Sequence, residues 1–230
     1  MIHLPRNNNK QNIAIQQTTS RFIAKILAPL HYFQYAQTMN TIRNLAVFCG
    51  SSLGHNPAYG QQAKKLAECL FANKISLVYG GGSRGLMGVV AETLHDLGGN
   101  VTGVLPEALN KSKVRARPVE TTVHIVPTMH DRKAMMYNLS DAFVALPGGI
   151  GTLEEIFEIF TWLQLGYHTK PVALLNINGY YDQLITFLHQ SSDEGFIHAD
   201  HLKALIIESE PEQLILRLQD FSPVLSDKLS

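Results

Sequence analysis

The chain has 230 residues, which is long enough for one large domain or two small ones with a proper hydrophobic core. Hydrophobic residues make up 45% of the sequence and charged residues 17%, a composition that excludes a disordered chain. Lysine and arginine together number 19, as do aspartate and glutamate, so the formal net charge is zero. Proteins that bind nucleic acid through its phosphates normally carry a basic excess, so we expect a small-molecule ligand and no nucleic acid.

The cysteines and histidines follow no pattern typical of a metal site or a disulfide framework. The spacing of Cys49 and Cys69 is typical neither of a zinc site nor of a disulfide framework. His198 and His201 could in principle bind a metal ion, but a solvent-exposed turn explains the pair better, and we expect neither a metal nor a cofactor. No apolar run reaches the roughly 18–20 residues that span a bilayer. We therefore expect a cytoplasmic protein without membrane contact.

The two ends of the chain differ in composition from its centre. Residues 1–43 are predicted to be a dispensable N-terminal extension, residues 44–222 a catalytic domain and residues 223–230 a C-terminal tail. No Asp or Glu occurs before Glu68, and an acid-free basic leader is typical of an organelle transit peptide. An extension without function, or an upstream start with Met39 as the working initiator, explains the same composition and is favoured.

From Asn44 onward, short apolar runs alternate with segments of helical periodicity. The apolar runs predict strands at residues 45–49, 76–79, 101–105, 123–126, 142–146, 172–175 and 204–207. The periodic segments predict helices at residues 58–73, 86–97, 130–139, 153–165, 181–194 and 211–221. Continuous apolar strands that alternate with helices indicate a single α/β domain, a Rossmann-like doubly wound parallel sheet with helices on both faces. Ligands bind such sheets beyond the carboxyl ends of the strands, so we expect function in the strand-to-helix loops.

Three of these loops, at residues 49–52, 80–88 and 147–152, are rich in glycine. Glycine lets the backbone turn sharply and approach a ligand, and a helix N-terminus offers free N–H groups, so the loops together suit a phosphate group. Residues 80–85 also match GxGxxG, but this alone is a weak dinucleotide signal, because tight helix–sheet packing explains it equally well. The absence of a GxxxxGKS/T pattern from the sequence argues against ATP-type phosphoryl transfer.

Charged residues accompany the third glycine-rich loop. The loop continues into Thr-Leu-Glu-Glu at residues 152–155, and Thr-x-x-Glu predicts a capping box that begins a helix at Thr152. Glu155 could also do chemistry beside a bound phosphate. The cluster at residues 129–133 could be a charged surface. If its strand neighbours that of the third loop, both loops open at one sheet edge, and Arg132 could offer a planar fork to a phosphate or carboxylate.

Taken together, these residues resemble the LONELY GUY (LOG) family of cytokinin riboside 5′-monophosphate phosphoribohydrolases, whose members often carry a lysine decarboxylase label. The PGGxGTxxE motif of the family matches residues 147–155, and its Arg-Lys pair after Met-His-x matches Arg132 and Lys133. Further matches are FCGSS at 48–52, VYGGGSRGLMG at 78–88, SDAFVALPGG at 140–149, TWLQLGYHTKPV at 161–172 and NGYYDQL at 178–184. The likeness covers roughly residues 44–221.

The resemblance implies a Rossmann-like homodimer that hydrolyses the N-glycosidic bond of an N6-modified AMP and releases a cytokinin-type base and ribose 5-phosphate. Arg132 and Glu155 would be the catalytic pair. Gly149, Gly151 and Thr152 would hold the phosphate. The full set of expected substrate- and phosphate-binding residues is Gly149, Ile150, Gly151, Thr152, Leu153, Glu154, Lys133, Thr161, Gly50, Ser51, Gly81, Gly82 and Met129.

The sequence departs from the family pattern after Pro106, where many members carry a further glutamate. Here Glu107 is followed by a basic stretch, and either Glu107 or Glu120 could take the place of the family's glutamate. The preferred N6 group of the substrate therefore also stays open.

Three other functions compete with hydrolysis. A non-catalytic nucleotide or cofactor carrier on the same fold is the main alternative, because fold does not determine function. An NAD-dependent oxidoreductase rests on GxGxxG alone. Amino-acid decarboxylation needs a pyridoxal Schiff-base lysine, and no pyridoxal signature surrounds Lys133 or Lys170.

Overall fold

A computed structural model of the chain describes residues 40–110 and 118–222. Most of the predicted N-terminal extension, the basic stretch at residues 111–117 and the predicted C-terminal tail lie outside the described residues. The assignment of residues 44–222 to a catalytic domain stays a prediction.

Seven strands form one sheet in which every neighbouring pair is parallel. They are β1 (Asn44–Phe48), β2 (Ser76–Tyr79), β3 (Val101–Pro106), β4 (Thr122–Val126), β5 (Ala142–Ala145), β6 (Val172–Leu175) and β7 (Leu205–Glu208). Their order across the sheet is β4-β3-β2-β1-β5-β6-β7. The chain builds outward from β1 to β4 and then adds β5 on the other side of β1. The strand order therefore reverses between β1 and β5, which is where open α/β sheets bind their ligands.

Helices cover both faces of the sheet, as the sequence predicts. They are α1 (Pro57–Ala72), α2 (Gly85–Asp96), α3 (Met129–Leu139), α4 (Ile150–Gln164), α5 (Asp182–Asp193), α6 (Ala199–Lys203) and α7 (Pro211–Gln219), with 3-10 turns at Glu107–Leu109 and Ile177–Gly179. Helices α1, α2 and α7 pack on one face, and α3 to α6 pack on the other. The predicted doubly wound fold is confirmed.

The strands read as continuous apolar runs because both of their faces are covered. In β1, Leu45 and Val47 belong to the core under α1 and α2, whereas Ala46 and Phe48 belong to the core under α3 and α4. Side chains alternate between the faces of a strand, so each face receives every second residue. Burial of each large apolar side chain contributes about 1.5–3 kcal/mol, and this drives the two layers onto the sheet.

The predicted capping box at Thr152 is wrong. Helix α4 begins at Ile150 with Gly149 as its N-cap, so Thr152 lies within the first turn and is only 4% exposed. Two glycines before Ile150 let the chain enter the helix earlier than the Thr-x-x-Glu pattern indicates. A capping box does begin α3, where the Thr128 hydroxyl accepts from the Asp131 N–H at 3.1 Å and the Asp131 carboxylate accepts from the Thr128 N–H at 3.1 Å.

The predicted solvent-exposed turn at His198 and His201 is wrong for His201, whereas His198 is exposed and precedes a helix. The segment contains the short helix α6, and His201 lies within this helix and is 1% exposed. A five-residue helix is too short to show periodicity in the sequence.

Candidate active site

The three glycine-rich loops meet at the carboxyl edge of β1, β2 and β5. The N–H of Gly50 donates to the carbonyl of Pro147 at 3.0 Å, and the N–H of Leu86 donates to the carbonyl of Gly50 at 3.0 Å. Gly85 has a φ of +61°, and a Cβ there would lie 2.3 Å from the Ser51 backbone. Only glycine permits this conformation and this close approach, so the second loop is tied to the first.

Arg132 and Glu155 form an ion pair beside these loops. Nη1 of Arg132 lies 2.5 Å from Oε1 of Glu155, and the two side chains are 11% and 12% exposed. Nε of Arg132 donates to the carbonyl of Val104 at 3.3 Å. Because guanidinium is a rigid fork, contacts with β3 and α4 together set its orientation.

The two residues meet although their strands are not neighbours. The sequence-based condition that the strand before α3 lies next to β5 is wrong, since β3, β2 and β1 separate β4 from β5. Helix α3 instead packs back across β1 to β4 and carries Arg132 to the end of β2. A Cβ on Gly80 would lie 2.1 Å from Nη2 of Arg132, so the guanidinium occupies the space that this glycine leaves.

The environment of the ion pair shifts the pKa of Glu155. Burial raises the pKa of this carboxyl, and the charge of Arg132 and its hydrogen bond offset part of that rise, leaving the pKa above its usual value of 4.5. A carboxylate with a raised pKa in a loop-lined cleft is typical of a functional site.

A second ion-pair group joins α3 to α4 next to the first. Lys133 contacts Glu154 and lies 3.1 Å from Oε2 of Glu158. Burial lowers the pKa of Lys133, but its hydrogen bonds with Glu154 and Glu158 outweigh that effect, so the net shift is upward. Lys133 is therefore an ammonium ion at neutral pH, unlike the free amine that a Schiff-base lysine must supply.

The N-terminus of α4 offers backbone donors without a side-chain cap among the described residues. Leu153 donates to the carbonyl of Gly149 at 3.2 Å, so the N–H groups of Ile150, Gly151 and Thr152 precede the hydrogen-bonded part of the helix. Because α4 begins at Ile150, Glu154 and Glu155 fall beyond its first turn. The repulsion that two acids in the first turn would impose on a phosphate is therefore smaller than the sequence indicates.

Open space lies in front of this helix start. A Cβ added to Gly149 or Gly151 would meet no described atom within 4 Å, whereas one on Gly148 would lie 2.1 Å from Oγ1 of Thr152. Packing within the described protein therefore explains why residue 148 must be a glycine, but it does not explain the glycines at 149 and 151. A glycine without a packing reason at a helix N-terminus fits a ligand that approaches the backbone closely.

The other predicted binding residues lie at different distances from the helix start. Ile150 is 81% exposed and Met129 46% exposed, and Sδ of Met129 lies 3.4 Å from Nη1 of Arg132. Leu153 is half-buried and belongs to the first turn. Thr161 lies further along α4, about 9 Å in helix rise from Glu155, and donates to the carbonyl of Phe157 at 2.7 Å.

The predicted residues of the first two loops have packing roles of their own. Gly81 has a φ of +71° and faces Leu105, and a Cβ on Gly82 would meet Met87. Gly50 and Ser51 line a cavity of about 320 Å³ that also reaches Tyr59, Gly149 and Tyr180. This cavity lies at the β1–β5 reversal, and its volume is at the lower end of the range for small-molecule sites.

Three residues next to the site were missed as site residues by sequence reasoning. Gly80 makes room for Arg132, and Tyr180 and Tyr181 donate to the backbone of the third loop. The sequence signals were their place in the loops that follow β2 and β6 and the family matches at residues 78–88 and 178–184, neither of which indicates these contacts.

The two candidate replacements for the family's extra glutamate have different surroundings. Glu107 is exposed on the 3-10 turn after β3. Glu120 accepts from the Tyr79 hydroxyl at 2.8 Å, and Tyr79 belongs to the core under α1 and α2, on the opposite face from Arg132. Within residues 40–110 and 118–222 no cluster of three or more His, Cys, Asp or Glu side chains could hold a metal, and no helix is long and apolar enough to cross a membrane.

Comparison with known proteins determines the family. The sequence profile described as "Possible lysine decarboxylase" matches residues 87–218. A cytokinin riboside 5′-monophosphate phosphoribohydrolase from Arabidopsis thaliana is 43% identical over 194 residues, which cover 84% of this chain and 91% of the relative. The chain belongs to the LOG family. A rice LOG enzyme, from Oryza sativa subsp. japonica, is 45% identical over 79% of this chain and 74% of its own length.

Solved structures extend the likeness of the fold beyond close relatives. The molybdenum cofactor carrier protein of Chlamydomonas reinhardtii superimposes with a TM-score of 0.59 at 19% identity, covering 77% of this chain and 96% of the carrier. A molybdenum cofactor binding protein from Rippkaea orientalis gives 0.57 at 20% identity, over 75% and 93% of the two chains. At such identities the likeness concerns the fold alone.

Proposed function

We propose that this LOG-family chain is an enzyme that hydrolyses the N-glycosidic bond of N6-modified adenosine 5′-monophosphates, releasing a cytokinin-type base and ribose 5-phosphate. The observation that carries the proposal is the buried Arg132–Glu155 ion pair just beyond the open start of α4. Glu155 lies about 6 Å in helix rise beyond Gly151. A 5′-phosphate at the helix start can therefore place the sugar of the same nucleotide near the carboxylate.

The chemistry of the bond explains why a carboxylate is needed there. As the bond between C1′ and the base nitrogen breaks, positive charge builds on the ribose ring. Glu155 stabilises this charge or orients the water whose oxygen bonds to C1′, while the departing base nitrogen gains a proton. Arg132 holds the carboxylate in place and favours its ionised form.

Base release from a defined nucleotide tests the proposal. The full chain is incubated with isopentenyladenosine 5′-monophosphate and, in parallel, with AMP, and the products are separated by chromatography. We expect free base and ribose 5-phosphate in equal amounts, with the N6-modified substrate preferred. Tight binding of the nucleotide without base release would instead support the carrier alternative.

Gly151→Ala tests whether a phosphate occupies the start of α4. Alanine is the better helix residue and meets no described atom, so we expect the free protein to gain about 0.5–1 kcal/mol in stability. The added methyl group enters the proposed phosphate position, and KM should rise about tenfold or more. The measurements are the melting temperature and KM.

Gly60→Ala in α1 is the matched control for that substitution, because its Cβ also meets no atom of the described residues within 4 Å. It should raise the melting temperature and leave KM unchanged. A Gly151→Ala protein with wild-type KM would place the phosphate elsewhere.

The pH dependence of kcat/KM reports on Glu155. The proposed mechanism needs the ionised carboxylate, so activity is lost as the pH falls through the pKa of Glu155. Burial raises that pKa, and Arg132 offsets only part of the rise, so the acid limb should lie above the usual 4.5. An acid limb at or below the ordinary glutamate value would contradict the assignment.

We also propose that the enzyme is a cytoplasmic homodimer that binds no nucleic acid. Large apolar side chains exposed around α4 and α5 support an interface: Ile150 is 81%, Phe187 60% and Phe196 84% exposed. Light scattering should give twice the chain mass at micromolar concentration. A monomer at that concentration would contradict the dimer.

A further inference from the structure

Two consecutive tyrosines reach the loop that precedes α4. The 3-10 turn after β6 contains Asn178 and Gly179, both with positive φ, at 52° and 70°. This tight turn directs Tyr180 and Tyr181 toward the neighbouring loop after β5. The hydroxyl of Tyr181 donates to the carbonyl of Leu146 at 2.6 Å, and the hydroxyl of Tyr180 donates to the carbonyl of Gly148 at 2.6 Å.

The carbonyls of residues 146, 147 and 148 in this loop are therefore all held by hydrogen bonds, two from the tyrosines and one from the loop after β1. Between the two tyrosine contacts, the carbonyl of Pro147 accepts from the Gly50 N–H at 3.0 Å. These carbonyls lie beyond the end of β5, outside the paired register of the sheet. Gly149, the N-cap of α4, follows directly. The orientation of residues 146–148 thus sets the direction of the first N–H groups of α4.

The tyrosines are themselves held in place. The side-chain oxygen of Asn176 accepts from the Tyr181 N–H at 2.7 Å, and its amide donates to Asp182 at 2.7 Å. The Tyr180 ring packs edge-on against Tyr181 and Tyr59, with centroid distances of 4.9 and 5.6 Å. Tyr181 is 2% exposed, and burial raises the pKa of its phenol, so the hydroxyl remains a donor at every pH at which the enzyme is assayed.

We infer that Tyr180 and Tyr181 are positioning residues for phosphate recognition, which hold the loop before α4 so that its free N–H groups converge on the 5′-phosphate. The inference rests on the proposed function. Neither tyrosine is needed to orient Arg132 or Glu155, which are held by α3, β3 and α4. Loss of a hydroxyl should therefore weaken phosphate binding and spare the bond-breaking step.

The experiment compares Tyr180→Phe, Tyr181→Phe and wild type in the full chain. We expect Tyr181→Phe to raise KM for isopentenyladenosine 5′-monophosphate, and the Kd of ribose 5-phosphate measured by calorimetry, about tenfold, and Tyr180→Phe to raise both about threefold. In both variants kcat should stay within about twofold of wild type. Tyr167→Phe, at a 72% exposed tyrosine after α4, is the matched control and should change neither constant.

The outcomes separate positioning from general packing. Melting curves report any loss of stability in Tyr181→Phe, and the half-exposed Tyr180 provides a variant that does not depend on core packing. Unchanged KM and Kd in both variants, or a fall in kcat with KM unchanged, would overturn the inference and leave the proposed function standing. Failure of the wild-type chain to release base would overturn the proposed function first.

Discussion

Replacement of Glu155 by glutamine is expected to lower kcat/KM for the nucleoside monophosphate by about 10²- to 10⁴-fold. Glutamine preserves the shape of the side chain and can still accept from Arg132, but it carries no charge to stabilise the developing cation or to activate water. The loss should appear mainly in kcat, because the phosphate-binding end of the site is untouched. Steady-state kinetics with isopentenyladenosine 5′-monophosphate measure it.

Glu212→Gln is the control for this substitution. Glu212 also forms an ion pair, with Lys65 at 3.0 Å, but on the exposed surface of α7. Its loss should change neither kcat nor KM, since surface pairs contribute little. Wild-type turnover by Glu155→Gln would remove Glu155 from the mechanism.

Arg132→Lys is expected to lower kcat/KM by about 10²-fold, the second-largest effect. Lysine retains the positive charge, but a single ammonium on a flexible stem cannot reproduce the fork that contacts both Val104 and Glu155. The carboxylate then loses its fixed orientation. Both kcat/KM and the acid limb of its pH profile measure the change. The limb should move slightly to higher pH, because the retained charge still lowers the pKa of Glu155 but the hydrogen bond from Arg132 is lost.

Arg217→Lys gives the matched control, because Arg217 pairs with Glu208 at 2.7 Å on the exposed side of α7. It should behave as wild type.

Arg132→Ala is a harsher variant that leaves a buried carboxylate unpaired, at a typical cost of about 3–5 kcal/mol in stability. Adding Glu155→Gln to Arg132→Ala should recover part of that stability, a coupling that a double-mutant cycle measures. Wild-type kcat/KM in Arg132→Lys would contradict the expected loss, because it would show that a positive charge at residue 132 is sufficient for activity.

The sequence predicted the strands more closely than the helix ends. β2 and β6 match the predicted residues throughout, because continuous apolar runs between turn residues have few alternative interpretations. The predicted start of α4 was three residues too late. Thr-x-x-Glu indicates a helix cap only where the backbone at the threonine itself is extended. Gly148 and Gly149 shift the cap upstream instead.

The candidate site was predictable as a set of residues and not as a geometry. The motifs name Arg132 and Glu155, but their contact depends on α3 crossing back over β1 to β4, and sequence spacing does not encode such a path. The roles of Gly80 and Tyr180 were missed for a related reason. Both act through contacts with loops of other strands, and these contacts exist only once the order of the strands is known.

A crystal structure of Glu155→Gln with bound isopentenyladenosine 5′-monophosphate tests the central claim most directly. We expect the phosphate within hydrogen-bond distance of the N–H groups of Gly151 and Thr152, with C1′ facing residue 155 and the guanidinium of Arg132. A nucleotide whose phosphate lies away from the start of α4, or whose C1′ faces away from residue 155, would contradict it.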